Sequence, residues 1–185
     1  LRFVLRKYIP SRSGRKIEGL NKNFRVSISK EVITAEAEAL YKLYKASIDF
    51  DISESVQNSL VGEAAHSIYN TRCIEVRDGD KLIAAGYFDE ADTSIAGILN
   101  IWHPDYKKFS LGKYLMLLKI KYALQQHKQF YYPGYVGTGF TKFDYKLFPC
   151  RQAAEVYIRS INQWLPWLSV TKEELERMLF SRHAE

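Results

Sequence analysis

The 185-residue sequence has only two cysteines, Cys73 and Cys150, which are too few for a disulfide framework or a cysteine-rich zinc site. It contains no apolar run near the roughly 18 residues of a membrane-spanning helix, so no membrane association is expected. Its first residues lack the layout of a signal peptide. These absences favour a protein of the reducing cytoplasm, and no metal site is predicted.

The sequence also lacks internal repeats, low-complexity tracts and linkers rich in Pro, Gly or Ser, so we expect one domain over residues 1–185. Hydrophobic residues make up 46% of the chain and charged residues 26%, which is typical of a globular protein rather than a disordered one. The length is sufficient for a hydrophobic core that needs no disulfide bond.

Positive charge is concentrated at the start of the chain. The whole sequence has 27 Lys and Arg residues against 21 Asp and Glu residues, a net charge of +6. Residues 1–30 contain nine of the basic residues and a single acid, Glu18, so the remainder of the chain carries a net charge of −2. Such a basic end suits a polyanionic partner, because Lys and Arg that meet phosphates release condensed counterions. A solvated basic edge without a partner is the alternative.

Hydrophobic periodicity predicts a mixture of strands and helices. In the first part we expect strands at Phe3–Leu5 and Phe24–Ile28, a loop at Pro10–Gly14, a helix over 30–47 and a second helix opened by Ser53 or Ser55. The next part predicts an antiparallel meander of three strands, a long helix, another strand and a last helix that starts with a capping box. In chain order these are Cys73–Val76, Leu82–Phe88, Ser94–Trp102, Leu111–His127, Phe130–Tyr135 and the helix beginning at Thr171.

This order of elements indicates a mixed α/β fold of the GNAT-like acyltransferase kind, in which helices flank a mostly antiparallel sheet. We expect the strand at 130–135 to splay from the strand at 94–102 and to leave a cleft by Ser110–Gly112. Residues 150–185 are expected to form a C-terminal helical extension.

The segment Trp102–Tyr114 lies where a strand ends and a helix begins. The first free amides of that helix can hold a phosphate or a developing oxyanion. We expect Ser110 to cap the helix and Gly112 to let a ligand approach the backbone. Lys107, Ser110 and Gly112 also form a loose version of the pyrophosphate loop of GNAT acetyltransferases. An ordinary helix cap with a glycine for packing is the alternative.

A second segment, Tyr131–Tyr135 followed by Lys142–Lys146, combines aromatic and basic side chains. The tyrosines could stack on a terminal nucleotide base. Lys142 and Lys146 could contact a phosphate or a substrate carboxylate. Alternatively, tyrosines at alternate positions simply line a sheet.

Three segments, in order, resemble the bacterial aminoacyl-tRNA–protein transferases of the arginyl/leucyl type, which belong to the N-degron pathway. Tyr8–Lys16 is similar to that family's Phe-x-Pro-Ser-Arg-Ser-Gln-Arg-Arg segment. His103–Asp105 with Ser110–Tyr114 is similar to its Asp-Pro-(Asp/Glu) and Ser-Leu-Gly-x-Tyr segments. Tyr131–Tyr135 with Lys142–Lys146 is similar to its Tyr-x-x-Gly-Tyr and Lys-Met-x-Tyr-Lys segments. The family fold is GNAT-like, in agreement with the element order.

The resemblance implies transfer of an amino acid from aminoacyl-tRNA to the N-terminal α-amine of an acceptor protein whose first residue is acidic, without a cofactor. Asp144 and His103 are candidates for deprotonating the amine, and the amides at Ser110–Gly112 are candidates for the oxyanion or the terminal ribose. Arg12, Arg15 and Lys16 are candidates for tRNA phosphates or for the acidic acceptor side chain. The other residues assigned to substrate or tRNA binding are Leu111, Gly112, Tyr114, Tyr132, Gly134, Tyr135, Lys142, Tyr145 and Lys146.

The chain also departs from the family pattern. The family carries an N-terminal cysteine cluster, whereas this sequence has no cysteine before Cys73. The sequence leaves open whether Arg, Leu or another residue is transferred. Two other functions stay open: an N-acetyltransferase that uses acetyl-CoA, and a catalytically silent relative that binds RNA or protein.

Overall fold

An eight-stranded sheet organises the computed structural model, which describes residues 1–30, 33–62, 68–139 and 141–180, with backbone only for residues 141, 142 and 180. The strands are β1 (Arg2–Val4), β2 (Arg25–Lys30), β3 (Thr71–Asp78), β4 (Lys81–Glu90), β5 (Ser94–Trp102), β6 (Phe130–Tyr132), β7 (Ala154–Ile158) and β8 (Gln163–Pro166). Their spatial order is β2-β3-β4-β5-β6-β1-β7-β8. Within this sheet only β5 and β6 pair in parallel. The predicted mixed, mostly antiparallel GNAT-like fold is confirmed.

Five α-helices flank the sheet within the described ranges: α1 (Arg12–Leu20), α2 (Ala35–Ala46), α3 (Val56–Val61), α4 (Leu111–Gln125) and α5 (Lys172–Phe180). None of them combines the length and the hydropathy that crossing a bilayer requires. Short 3-10 segments connect several elements, and two of them, Pro104–Phe109 and Thr141–Leu147, border the site described below.

Side-chain caps determine where the helices begin. Ser11 Oγ accepts a hydrogen bond from the amide of Gly14 at 3.0 Å, so the predicted loop at 10–14 is shorter than expected and α1 starts at Arg12. Thr34 caps α2 in the same way, and the helix predicted over 30–47 therefore begins only at Ala35. Of the two serines predicted to open the second helix, Ser55 caps α3, which ends at Val61. The capping box at Thr171 is confirmed.

Alternation along β3 and β4 places two hydrophobic clusters on the two faces of the sheet. Ile74 and Val76 of β3 pack in one cluster with Leu115 of α4. Cys73 of the same strand packs in the other cluster with Tyr41 of α2. The predicted antiparallel meander of β3, β4 and β5 is confirmed.

The expectation of a helical extension over 150–185 was wrong in its first part. Residues 154–158 and 163–166 form β7 and β8, which extend the sheet beyond β1. Apolar residues alternate along β7, and two of them, Val156 and Ile158, are buried against Leu175 of α5. Strand pairing with β1 is a long-range contact, which a local reading of the chain does not detect.

The parallel strands β5 and β6 separate after three paired residues, as predicted. Ser94, Ile95 and Ala96 of β5 pair with Phe130–Tyr132, whereas β5 itself continues to Trp102 along β4. The strand predicted over 130–135 ends early because Pro133 has no amide hydrogen and Gly134 adopts a φ of +103°. The sheet therefore opens beside the second half of β5.

Candidate active site

A cavity of about 380 Å³ occupies the opening between β5 and β6. We call it the central cavity. Its walls are the second half of β5, the first turns of α4, the end of β6 and the segment Thr141–Leu147. The polar side chains that line it are Tyr44, Asn100, Lys107, Ser110, Lys113, Lys119, Tyr131, Tyr145 and Lys146. Apolar walls come from Ile98, Leu99, Trp102, Leu111, Met116 and Pro133.

The central cavity is strongly cationic. Four lysines line it, namely Lys107, Lys113, Lys119 and Lys146, and among the described residues no aspartate or glutamate does. The N-terminus of the 15-residue helix α4 adds the partial positive charge of its free amides. The cavity therefore favours ligands with a negative or developing negative charge.

The first turn of α4 differs from the predicted cap. Ser110 adopts the left-handed conformation (φ 53°), and its carbonyl accepts hydrogen bonds from the amides of Lys113 and Tyr114, both at 3.0 Å. Its hydroxyl does not cap the helix. The amides of Leu111 and Gly112 belong to the first turn, where a helix supplies no acceptor, and both residues line the cavity. These two amides are the donors that can face an oxyanion.

Gly112 packs closely against a neighbouring side chain and does not leave open space for a ligand. A Cβ atom at this position would lie 2.8 Å from Cζ3 of Trp102, below any normal carbon–carbon contact. The indole of Trp102 in turn packs on Tyr44, with ring centroids 4.5 Å apart. The glycine that we expected to admit a ligand thus lets α4 close on an aromatic wall of the cavity.

Lys119 lies at the floor of the cavity and was missed by the sequence analysis. Its side chain is 1% exposed, and its Nζ donates to the carbonyl oxygens of Tyr87 (2.7 Å) and Leu99 (3.3 Å) and to Oδ1 of Asn100 (2.8 Å). Desolvation by burial lowers the pKa of Lys119 to about 7. A signal was available, because Lys119 stands four residues after Leu115, on the face of α4 that periodicity assigns to the core.

The segment after β6 brings part of the predicted aromatic and basic set to the cavity. Tyr145 and Lys146 line it. Lys146 Nζ donates to the carbonyl of Tyr135 at 3.1 Å and lies over the rings of Tyr135 and Phe143, and burial lowers the pKa of Lys146. A side chain at Gly134 would place its Cβ 3.0 Å from this Nζ, in addition to its positive φ. Glycine at this position therefore makes room for Lys146.

The other tyrosines of that set do not form one stacking platform. Tyr132 does not line the cavity, and its ring packs 5.8 Å from that of Trp164. Tyr135 is 65% exposed beside Phe143, and Tyr114 lies on the buried face of α4, in the hydrophobic core. The side chain of Lys142 lies outside the described residues.

Neither predicted proton acceptor lines the central cavity. Both carboxylate oxygens of Asp144 accept from Lys172 Nζ, at 2.9 and 2.8 Å, so this side chain ties the segment 141–147 to α5. Nδ1 of His103 accepts from the amide of Asp105 at 3.3 Å and thereby caps the 3-10 turn that precedes α4. Asp144 and His103 thus lie outside the cavity lining, whereas the four lysines are its basic side chains.

The predicted basic residues of the first segment lie on the exposed side of α1. We call Arg12, Arg15 and Lys16 the α1 basic trio; all three are exposed, and none lines the central cavity. The buried side of α1 faces α4 at Gly14, where an added Cβ would lie 3.5 Å from Leu117. The trio is thus presented to solvent next to the helix whose N-terminus borders the cavity.

Fold and site together define an acyltransferase-type domain, in which a splayed sheet and a helix N-terminus enclose a cationic cavity. The family described as "Arginine-tRNA-protein transferase, C terminus" matches residues 36–148, and the chain belongs to this family. All residues that line the central cavity fall within the matched range.

Two relatives carry the description aspartate/glutamate leucyltransferase. The protein from Leptospira interrogans is 28% identical over 170 residues, which cover 89% of this chain and 66% of the relative. The protein from Shewanella sp. (strain MR-7) is 30% identical over 149 residues, covering 79% and 62%. The chain therefore spans a little less than two thirds of the length of the curated relatives that it matches.

A solved structure supports the fold alone. The C-terminal domain of a protein assigned as a lysylphosphatidylglycerol synthetase, from Agrobacterium fabrum, superposes with a TM-score of 0.53 at 8% identity. The match covers 72% of this chain and 45% of that one.

Proposed function

We propose that this protein transfers an amino acid from aminoacyl-tRNA to the N-terminal α-amine of an acceptor protein that begins with Asp or Glu. One observation carries the proposal: within the family-matched range, the central cavity is lined by four lysines and, among the described residues, by no carboxylate. An acidic acceptor side chain fits these charges. The description of the relatives as aspartate/glutamate leucyltransferases supports the same acceptor class.

The reaction needs positioning more than strong acid–base chemistry. The acceptor nitrogen attacks the ester carbonyl carbon of the aminoacyl-tRNA, a C–N bond forms, and the C–O bond to the terminal ribose breaks. The attacking nitrogen loses a proton and the released ribose oxygen gains one, so the reaction consumes no net proton. The amides of Leu111 and Gly112 are placed to stabilise the oxyanion that develops between these events.

The cationic lining helps to keep the attacking amine neutral. An α-amine has a pKa near 8, so about a tenth of it is neutral at pH 7. Nearby positive charges disfavour the ammonium form and lower this pKa further. A carboxylate base at Asp144, which pairs with Lys172, is therefore not required.

We infer that leucine, rather than arginine, is the transferred residue. The apolar walls of the cavity, including Leu99, Trp102 and Met116, suit an aliphatic side chain. A guanidinium group would meet four lysines and, among the described residues, no carboxylate partner.

The exposed α1 basic trio supplies the positive charge for binding the phosphates of the tRNA.

The test is transfer of radiolabelled leucine or arginine from charged tRNA to two peptides that differ only in an N-terminal Asp or Asn. We expect labelled product from leucyl-tRNA with the Asp peptide and at least about tenfold less with the other combinations. Acetyl-CoA with the same peptides serves as the control for an acetyltransferase. Acetylation without aminoacyl transfer, or no transfer from either tRNA, would contradict the proposal.

A further inference from the structure

The floor of the central cavity contains a small space beside Gly97, in the part of β5 that β6 no longer covers. A Cβ atom on Gly97 would lie 3.2 Å from Tyr131 Oη and 3.7 Å from Lys119 Nζ. Because glycine has no side chain, both polar atoms are reached from the same point of the cavity. A ligand atom next to Gly97 would therefore contact a phenol and an ammonium group together.

Both groups are positioned by the protein and can donate a hydrogen bond to an anion at this point of the cavity. Tyr131 is 1% exposed and borders the cavity, and its hydroxyl has no hydrogen-bond partner within the described residues. Lys119 is equally buried and is held by three uncharged acceptors, the longest contact being 3.3 Å to Leu99. A buried ammonium group is costly without a negative partner, so a carboxylate at this point would compensate the charge of Lys119.

We propose that Lys119 and Tyr131 bind the side-chain carboxylate of the acceptor's N-terminal Asp or Glu in the space beside Gly97. The inference rests on the proposed function and assigns its acceptor specificity to these residues. The Tyr131 hydroxyl would donate a hydrogen bond to one carboxylate oxygen. Lys119 would give up its long hydrogen bond to the Leu99 carbonyl and donate to the second carboxylate oxygen instead.

The chemistry of the two donors selects this occupant. A cationic side chain would be repelled by Lys119, and an amide would leave the ammonium charge uncompensated. A carboxylate accepts from both groups and neutralises the charge. Lys107 and Lys113 stand nearer the N-terminus of α4, so they and the free amides of that helix remain available for the aminoacyl ester.

Three substitutions test the subsite, each in a different way. Lys119→Met removes the charge at similar volume, Tyr131→Phe removes only the hydroxyl, and Gly97→Ala fills the space without changing charge. The matched controls are Lys121→Met, on the exposed side of α4, and Gly19→Ala, where an added methyl group meets nothing within 4 Å. Circular dichroism serves to check whether each variant is folded.

The readout is the ratio of kcat/KM for transfer to the Asp peptide over the Asn peptide, together with calorimetric affinities for both peptides without tRNA. We expect a ratio of at least about tenfold in the wild type, close to one in Lys119→Met, and reduced about fivefold or more in the other two site variants. The control variants should keep the wild-type ratio. Transfer to the Asn peptide should change far less than transfer to the Asp peptide.

The outcomes separate the subsite from the proposed function. A purely structural Lys119 would lower transfer to both peptides equally and leave the ratio unchanged, which would overturn the inference. An unchanged ratio in Gly97→Ala and Tyr131→Phe would overturn it even if Lys119→Met did not fold. If the wild type transfers leucine to both peptides equally, the subsite and the acidic acceptor specificity are wrong while aminoacyl transfer itself stands. Absence of transfer to any peptide would remove the proposed function itself.

Discussion

Replacing Gly112 with Ala tests the contact that shapes the aromatic wall of the central cavity. The new methyl group would lie 2.8, 3.1 and 3.2 Å from three carbons of the Trp102 ring, where about 3.5 to 4.0 Å is normal. The indole cannot simply move away, because it packs against Tyr44. We therefore expect an overpacking cost of about 1 to 3 kcal/mol.

The intrinsic preference of helices for Ala works in the opposite direction. A Gly→Ala change inside a helix gains up to about 1 kcal/mol, and the gain is smaller in the first turn, where Gly112 stands. The net expectation is a loss of about 1 to 2 kcal/mol. For a chain of this length that corresponds to a Tm lower by about 2 to 8 °C.

The assay is thermal unfolding of the wild type, Gly112→Ala and the control Gly19→Ala. Gly19 lies in α1 with nothing within 4 Å of an added Cβ, so the control should be neutral or more stable than the wild type. Leucine transfer by Gly112→Ala should also fall, since Trp102 lines the cavity. A rise in Tm for Gly112→Ala similar to the control would refute the close packing of this helix on Trp102.

The other predictions concern charged groups. Asp144→Asn and Lys172→Met should lower transfer to a similar, modest extent, because they break the same ion pair; a loss of about a hundredfold in Asp144→Asn alone would restore Asp144 as a base. Alanine substitution of the α1 basic trio should weaken binding to all tRNAs and reduce the salt dependence by roughly one unit of slope per lost phosphate contact; an unchanged slope would show a solvated edge. In the folded protein the pKa of Lys119 is lowered to about 7, whereas in the unfolded chain this lysine stays charged up to about pH 10. Between these two pH values the unfolded state therefore binds more protons than the folded state. The stability of the wild type relative to Lys119→Met should therefore rise by about 2 kcal/mol from pH 7 to pH 9 in urea unfolding, although Cys73 and Asp89 oppose part of this pKa shift; a flat difference would contradict it.

Local signals predicted most of the architecture. The alternation in β3, β4 and β5 and the capping residues Ser55 and Thr171 are short-range features, and they occur where expected. The strand β7 was missed because it pairs with β1, more than 150 positions away in the chain, and β8 was missed with it because β8 pairs only with β7 in the described part of the sheet. Long-range pairing of this kind leaves no periodic signature beyond a few alternating residues.

The candidate site was predicted in position but only partly in its members. The N-terminus of α4, Tyr145 and Lys146 line the cavity as expected, because sequence motifs mark turns and helix starts. Asp144 and His103 do not, because the direction of a side chain in a turn depends on partners elsewhere, here Lys172 for Asp144. Lys119 was overlooked, although a lysine among the apolar positions of an amphipathic helix departs from the hydrophobic periodicity and can be seen in the sequence.

The most direct test of the account is a single-turnover reaction of the purified chain with labelled leucyl-tRNA and a peptide that begins with Asp. We expect a peptide extended by one leucine at its α-amine, formed far more slowly when the first residue is Asn or when Lys119 is replaced by Met. Leucyl-tRNA that binds to the chain but yields no extended peptide would contradict the central claim that the cationic cavity is a site of aminoacyl transfer.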